Sequence, residues 1–188
     1  MMNKEVEYNI DFDQAQNLIE LAKKKQVTIS SCESFTAGLF SATLASIPGA
    51  SWVLKGGFVT YFTEMKTTLA HVDLDLIQQK GVVSKECAMA MASQTRKLTN
   101  SDYSVSFTGN AGPSSMEGKP AGLFYCAIAT KEQTKFFEYQ VDLERNHLRG
   151  YAVNQMIQEL IHDLEIVNSS CTKYAHLKCE NAYFVKNR

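Results

Sequence analysis

The 188-residue chain is long enough for one well-cored domain, and its 45% apolar and 21% charged residues are ordinary for a globular protein. A formal net charge of -1 argues against a protein held to nucleic acid mainly by phosphate attraction. No apolar run approaches the roughly 18 residues of a membrane span. The start, MMNKEVEYNIDFDQ, lacks the apolar core of a secretory signal, so a cytoplasmic protein is expected.

The elements alternate along the chain. Residues 12–25 carry apolar positions at Leu18, Ile19, Leu21 and Ala22, with Asp11 or Asp13 to cap the start and lysines at the end, which predicts a helix. VTISSC (27–32) reads as a strand and TAGLFSATLA (36–45) as a small-residue helix stopped by Ile47-Pro48-Gly49. WVLKGGFVTYF (52–62) reads as a strand in which Gly56-Gly57 permits a bulge or a close approach. Two short helices follow, in TEMKTTLAH and LDLIQQ, and Ser84 caps a third in KECAMAMASQTRKL.

YSVSFTG (103–109) alternates strictly as a strand, and GLFYCAIAT (122–130) is apolar on both faces, as an interior strand should be. KFFEYQV (135–141) is its antiparallel partner, because only a few residues connect the two. The longest helix is predicted over 144–167, and the tail at 168–188 shows no period. The order predicts one α/β domain, a three-layer α/β/α sandwich around a mixed sheet.

Four clusters can carry chemistry. In SSCESFTAG, Ser34 or Thr36 can cap a helix start whose amides, with room left by Ala37 and Gly38, form an anion cradle. The plainer reading is capping alone. In PGASWVLKGGFVTYFTEMK, Ser51 sits in a turn, Tyr61 ends a strand, and Thr63 as N-cap places Lys66 in the first helical turn. The positive dipole end disfavours the ammonium there, and burial would disfavour it further, as a general base needs. The alternative is an exposed surface lysine.

The third cluster, SFTGNAGPSSMEGKPAG, ends a strand at Thr108-Gly109 and enters a turn-rich loop of the kind that lines sites in α/β folds. In ERNHLRGYAV, Arg145 and Arg149 share a helix face and suit a phosphate or carboxylate, or else simply a solvated face. Cys171, His176 and Cys179 fit no common zinc spacing, so no metal site is expected. Five cysteines with no Cys-x-x-Cys read as reduced thiols.

Taken in order, ESFTAG (33–38), PGAS (48–51), GGFVTYFTEMK (56–66), GVVS (81–84), TGNAGP (108–113) and ERNHLR (144–149) resemble the CinA C-terminal domain family, the nicotinamide-nucleotide amidases. The resemblance spans about residues 12 to 166 and implies a Ser/Lys amidohydrolase, commonly a dimer. Such an enzyme converts nicotinamide mononucleotide to nicotinate mononucleotide and ammonia with no metal or organic cofactor; the alternatives are a catalytically silent nucleotide-binding paralogue or a competence-related protein-interaction domain. Carried over by position, Ser51 is the expected nucleophile, Lys66 its base and Tyr61 a third polar partner. Ser34, Thr36, Gly38, Thr108 and Gly109 are expected to bind substrate, with either Arg145 or Arg149 meeting its charge. The chain departs from the family pattern at Phe35 (a cysteine), Ala37 (a glycine), Asn110 (an apolar residue) and Ser114–Met116 (a glycine-rich segment). It also lacks the larger N-terminal domain of full-length CinA proteins and so resembles a stand-alone form.

Overall fold

A computed structural model describes residues 7–181, with side chains to residue 166. The first helix, α1 (Phe12–Lys25), is capped by Asp11, whose carboxylate accepts from the Gln14 amide at 3.0 Å. Its apolar face, Ala15, Leu18, Ile19 and Ala22, is buried. Strand β1 (Ile29–Glu33) follows, then α2 (Leu39–Ala45), β2 (Leu54–Val59), α3 (Thr63–Thr68), α4 (Leu74–Lys80) and α5 (Lys85–Thr99). The chain continues through β3 (Tyr103–Gly109), β4 (Leu123–Ala129), β5 (Thr134–Gln140) and α6 (Arg145–Asn181).

The five strands form one mixed sheet in the order β2-β1-β3-β4-β5. β1 pairs in parallel with β2 and β3, and β4 runs antiparallel to both β3 and β5. Helices α1, α2 and α6 cover one face over a core that includes Leu18, Phe40, Phe107, Phe124 and Met156. Helices α4 and α5 cover the other, around Val83, Cys87 and Met91 and an alanine seam of Ala88, Ala92, Ala127 and Ala129. The expected three layers and the β4–β5 hairpin are therefore present.

The alternation in β3 does not separate core from solvent, because six of its seven residues are buried. Its polar face packs on α5, where small alanines allow close approach. Ser106 donates to the Ala88 carbonyl at 2.6 Å and Thr108 to the Val82 carbonyl at 2.6 Å.

Both devices expected at Gly56-Gly57 occur. The β1–β2 register slips by one residue between Ile29 and Ser30, leaving Lys55 as a bulge, and a Cβ on Gly57 would stand 2.3 Å from the Ser31 carbonyl oxygen.

Several boundaries differ from the sequence reading. α2 starts at Leu39, because Ala37 (φ 51) and Gly38 (φ 90) take left-handed backbone and break the helix. β2 is shorter than 52–62: Trp52 is held in a 3-10 turn, Ala50–Trp52, and β1 ends at Glu33, so the Thr60 amide makes the last bond. The N-cap of α3 is Phe62 rather than Thr63. The last helix passes residue 167 and reaches Asn181, with no proline or glycine after Gly150 to stop it. Cys171, His176 and Cys179 lie outside the described side chains.

Candidate active site

The parallel strands β1, β2 and β3 all end on one edge of the sheet, and so does β5. β1 sits between β2, reached through α2 on one face, and β3, reached through α5 on the other. This is a topological switch point, where α/β sheets open a crevice beyond their carboxyl ends. Ser34 follows β1, Tyr61 follows β2, the 110–122 loop follows β3, and Arg145 opens α6 after β5. Together Ser34, Phe35, Tyr61, Gly109, Asn110, Ala111, Gly112, Ser114, Met116 and Arg145 line a pocket of about 190 Å³.

Lys66 lies behind the pocket lining and touches it through Ser34. It is 1% exposed, and its Nζ donates to Ser34 Oγ at 3.1 Å and to the Thr60 carbonyl at 2.8 Å. Among the described residues it forms no ion pair. Burial lowers its pKa below the ordinary lysine range, against weaker upward pulls from Cys87, Cys32 and Glu117. The expected direction of the shift is present, and its largest cause is desolvation by burial. A neutral Lys66 amine, oriented by Thr60, can accept the Ser34 hydroxyl proton. The flanking thiols do not compete as nucleophiles: burial pushes Cys87 up to about 12 and raises Cys32 as well.

Ser51 is not part of this arrangement. It lies exposed in the 3-10 turn before β2, whereas Lys66 lies beyond the other end of that strand. The length of β2 alone separates the two sheet edges by about 17 Å. The hydroxyl that Lys66 touches belongs to Ser34.

The helix start beside Ser34 is not an open anion cradle either. Glu33, fully buried, occupies it: its carboxylate accepts from the Phe40 amide at 3.0 Å, the Ser41 amide at 2.9 Å and the Ser41 hydroxyl at 3.0 Å. An internal anion thus satisfies the amides and the positive end of α2. Thr36 is buried and Gly38 caps α2 through its backbone, so neither lines the pocket. The glutamate stood in the quoted motif, but its neighbours gave no sign that its side chain would fold back onto the following helix.

Thr108 spends its hydroxyl on Val82, while Gly109 does line the pocket. A Cβ on Gly109 would stand 2.3 Å from the Phe124 Cβ, so the strand pairing requires glycine there. Asn110, in a position the family pattern fills with an apolar residue, knots the loop. Its Nδ2 donates to the Met116 and Lys119 carbonyls at 3.2 and 3.0 Å. Glu117 ties the same loop to the α4–α5 connection by accepting from the Val82 and Val83 amides at 2.7 and 3.1 Å.

The two arginines part company. Arg145 lines the pocket and donates to the Tyr61 hydroxyl at 2.6 Å and to the Gly112 carbonyl at 2.8 Å. Arg149 points to the N-terminal segment and the Ser34 turn, donating to Tyr8, Asn146 and the Thr36 carbonyl.

The CinA C-terminal domain family matches residues 11–164. The chain belongs to this family. A protein of Listeria welshimeri described as competence-damage inducible is 42% identical over 151 residues, covering 80% of this chain and 36% of that protein. One of Streptococcus gordonii with the same description is 41% identical over 164 residues, 87% of this chain and 38% of the relative. The chain thus spans little more than a third of the length of these curated CinA relatives.

Among solved structures, the competence/damage inducible protein CihA of Agrobacterium tumefaciens has a TM-score of 0.78 at 29% identity, covering 82% of this chain and 94% of that one. A CinA superfamily protein of Klebsiella pneumoniae has a TM-score of 0.80 at 21% identity, covering 82% and 97%, a likeness of fold alone. The CinA fold is therefore shared, and no helix among the described residues is long and apolar enough to cross a membrane.

Proposed function

We propose that the domain is an amidohydrolase that converts nicotinamide mononucleotide to nicotinate mononucleotide and ammonia. The observation that carries this reading is the buried Lys66, without an ion pair among the described residues and with its Nζ 3.1 Å from Ser34 Oγ. A structural lysine at such a place would be expected to meet a carboxylate. This one meets the hydroxyl of Ser34, which lines the pocket.

In the proposed reaction Ser34 Oγ attacks the carboxamide carbon as its proton passes to Lys66. Collapse of the tetrahedral adduct breaks the C–N bond, and Lys66 returns the proton to the departing ammonia. The resulting ester is hydrolysed by water, with Lys66 again taking and returning the proton. The Tyr61 hydroxyl accepts from Arg145 and so keeps its own hydrogen for the developing oxyanion. Among the described residues Arg145 bonds only the Tyr61 hydroxyl and the Gly112 carbonyl, which leaves its charge for the substrate phosphate.

The pocket is smaller than the roughly 300–1,000 Å³ usual for ligand sites. In this reading it takes the pyridine carboxamide, and the ribose phosphate lies across its mouth beside Arg145. The test is ammonia release from nicotinamide mononucleotide by the purified protein, against a Ser34→Ala control. Binding of the mononucleotide with no ammonia above that control would leave a nucleotide-binding module in place of the enzyme.

A further inference from the structure

The turn that carries Ser34 is held by little of its own. Between Glu33 and Leu39 it passes through Ala37 at φ 51 and Gly38 at φ 90, and α2 has no side-chain N-cap at that point. Its internal bonds run from the Ala37 amide to the Ser34 carbonyl at 3.0 Å and from the Leu39 amide to the Thr36 carbonyl at 3.1 Å. Left-handed backbone at a non-glycine residue persists only where surrounding structure over-determines it.

One such support comes from far along the chain. Arg149 Nη2 donates to the Thr36 carbonyl at 2.8 Å, the same oxygen that closes the turn. Arg149 is itself held by Asn146 Oδ1 at 3.1 Å and by Tyr8, whose hydroxyl accepts from Nη1 at 3.3 Å and whose ring centroid lies 5.0 Å from the guanidinium carbon. Among the described residues Arg149 has no carboxylate partner, so its fork is spent on placing oxygen atoms and not on pairing charge.

Tyr8 in turn is docked on α6. Asn154 bonds the segment at both ends, donating to the Asn9 carbonyl at 2.8 Å and accepting from the Asp11 amide at 3.0 Å. A Cβ on Gly150 would stand 1.6 Å from the Tyr8 carbonyl oxygen, so only glycine admits this approach.

We infer that Arg149 and Tyr8 are a positioning pair for Ser34, acting through the Thr36 carbonyl. This rests on the amidohydrolase reading of that turn. Among the described residues neither lines the pocket, and neither hydrogen-bonds Ser34 or Lys66. Their effect is to hold the hydroxyl in line with the Lys66 amine, so that docking of the segment before α1 sets how often the Ser34–Lys66 contact is made.

The experiment compares Arg149→Met, Arg149→Lys, Tyr8→Ala and wild type by ammonia-release kinetics, and by hydrogen exchange with per-residue resolution. Arg149→Met is expected to lower kcat about tenfold with KM changed less than about twofold. Exchange at the Ala37 and Leu39 amides should speed up at least about tenfold, while the amides of α1 and β3 stay protected. Tyr8→Ala should move both readouts the same way by less. Arg149→Lys, which can still give one bond to Thr36, should recover part of the loss.

Unchanged exchange at the turn in both Arg149→Met and Tyr8→Ala would overturn the pair. So would uniformly faster exchange across the domain, which marks a general structural clamp. Wild type that releases no ammonia would remove the amidohydrolase reading instead, and the exchange measurement would still decide whether the pair holds the turn.

Discussion

Arg145, at the start of α6, donates a 2.6 Å hydrogen bond to the Tyr61 hydroxyl beyond β2, and the two close one wall of the pocket. The contact joins the outer layer to the end of the edge strand, and Tyr61 remains 52% exposed. Among the described residues Arg145 has no carboxylate partner, so its guanidinium charge lines the pocket uncompensated.

Arg145→Met should therefore act on substrate charge. A charge-assisted hydrogen bond is worth about 1.5–3 kcal/mol, so KM for the phosphorylated substrate should rise about 10- to 150-fold. A smaller loss of kcat from the freed Tyr61 hydroxyl should appear equally on the phosphorylated substrate and the dephosphorylated nucleoside, leaving the KM effect specific to the phosphate. Steady-state kinetics with the two substrates checks this, and an equal loss of kcat/KM on both would move Arg145 to the reacting centre.

Ser34 and Ser51 offer a clean contrast. Ser34→Ala removes the hydroxyl that Lys66 touches and should reduce turnover by about 10³-fold or more. Ser51→Ala alters an exposed turn at the other edge of the sheet and should stay within about twofold of wild type. The reverse result would return the nucleophile to the PGAS motif.

The pH dependence follows from Lys66. A base must be neutral, so kcat/KM should rise with pH through the lowered pKa and then level off. For stability, a depressed lysine pKa means that the unfolded chain binds more protons between the folded and unfolded values. The contribution of Lys66 to folding therefore grows as pH rises through that window, and is at its least favourable below the folded pKa. Lys66→Met should lose nearly all activity and yet unfold at an equal or higher denaturant concentration near neutral pH. Wild-type turnover in that variant would end the Ser/Lys proposal.

Ala37 is exposed, but its backbone is left-handed at φ 51. Ordinary surface substitutions fall within about 0.5 kcal/mol. Ala37→Val should cost more, about 1–2 kcal/mol, because a β-branched residue is a true outlier there. Ala37→Gly should be tolerated. Denaturant midpoints at constant m-value separate the two, and a neutral valine would show that the turn relaxes without loss.

Much of the architecture was legible in the chain. The helix caps at Asp11 and Ser84, the β4–β5 hairpin and the glycine pair of β2 are local signals, and local signals survive folding. Lys66 is legible as a lysine in a helix's first turn, Gly109 as a strand end and Arg145 as one of two arginines on a helix face, whereas the role of Tyr61 comes from the family resemblance. The pairing of Lys66 was not legible. Ser51 and Ser34 both precede it in suitable motifs, and only the parallel register of β1 with β2 decides which hydroxyl lies at its end of the sheet. The role of Glu33 was hidden for a related reason, since a carboxylate folding back onto the next helix leaves no period. Phe35, Asn110, Ser114 and Met116, four of the positions where the chain departs from the family pattern, all line the pocket.

The pocket draws its walls from the ends of β1, β2 and β3, the loop into β4 and the first turn of α6. Apart from the end of β3 and the loop that continues it, these segments are joined along the chain only through a full crossover or a whole hairpin. Such non-local closure is the slow part of folding. Refolding from denaturant should therefore restore helical signal well before catalysis, since no early fragment of the sheet holds Ser34, Tyr61 and Arg145 together. Turnover would then serve as a late clock for assembly, reporting the moment at which the last strand and the last helix have docked.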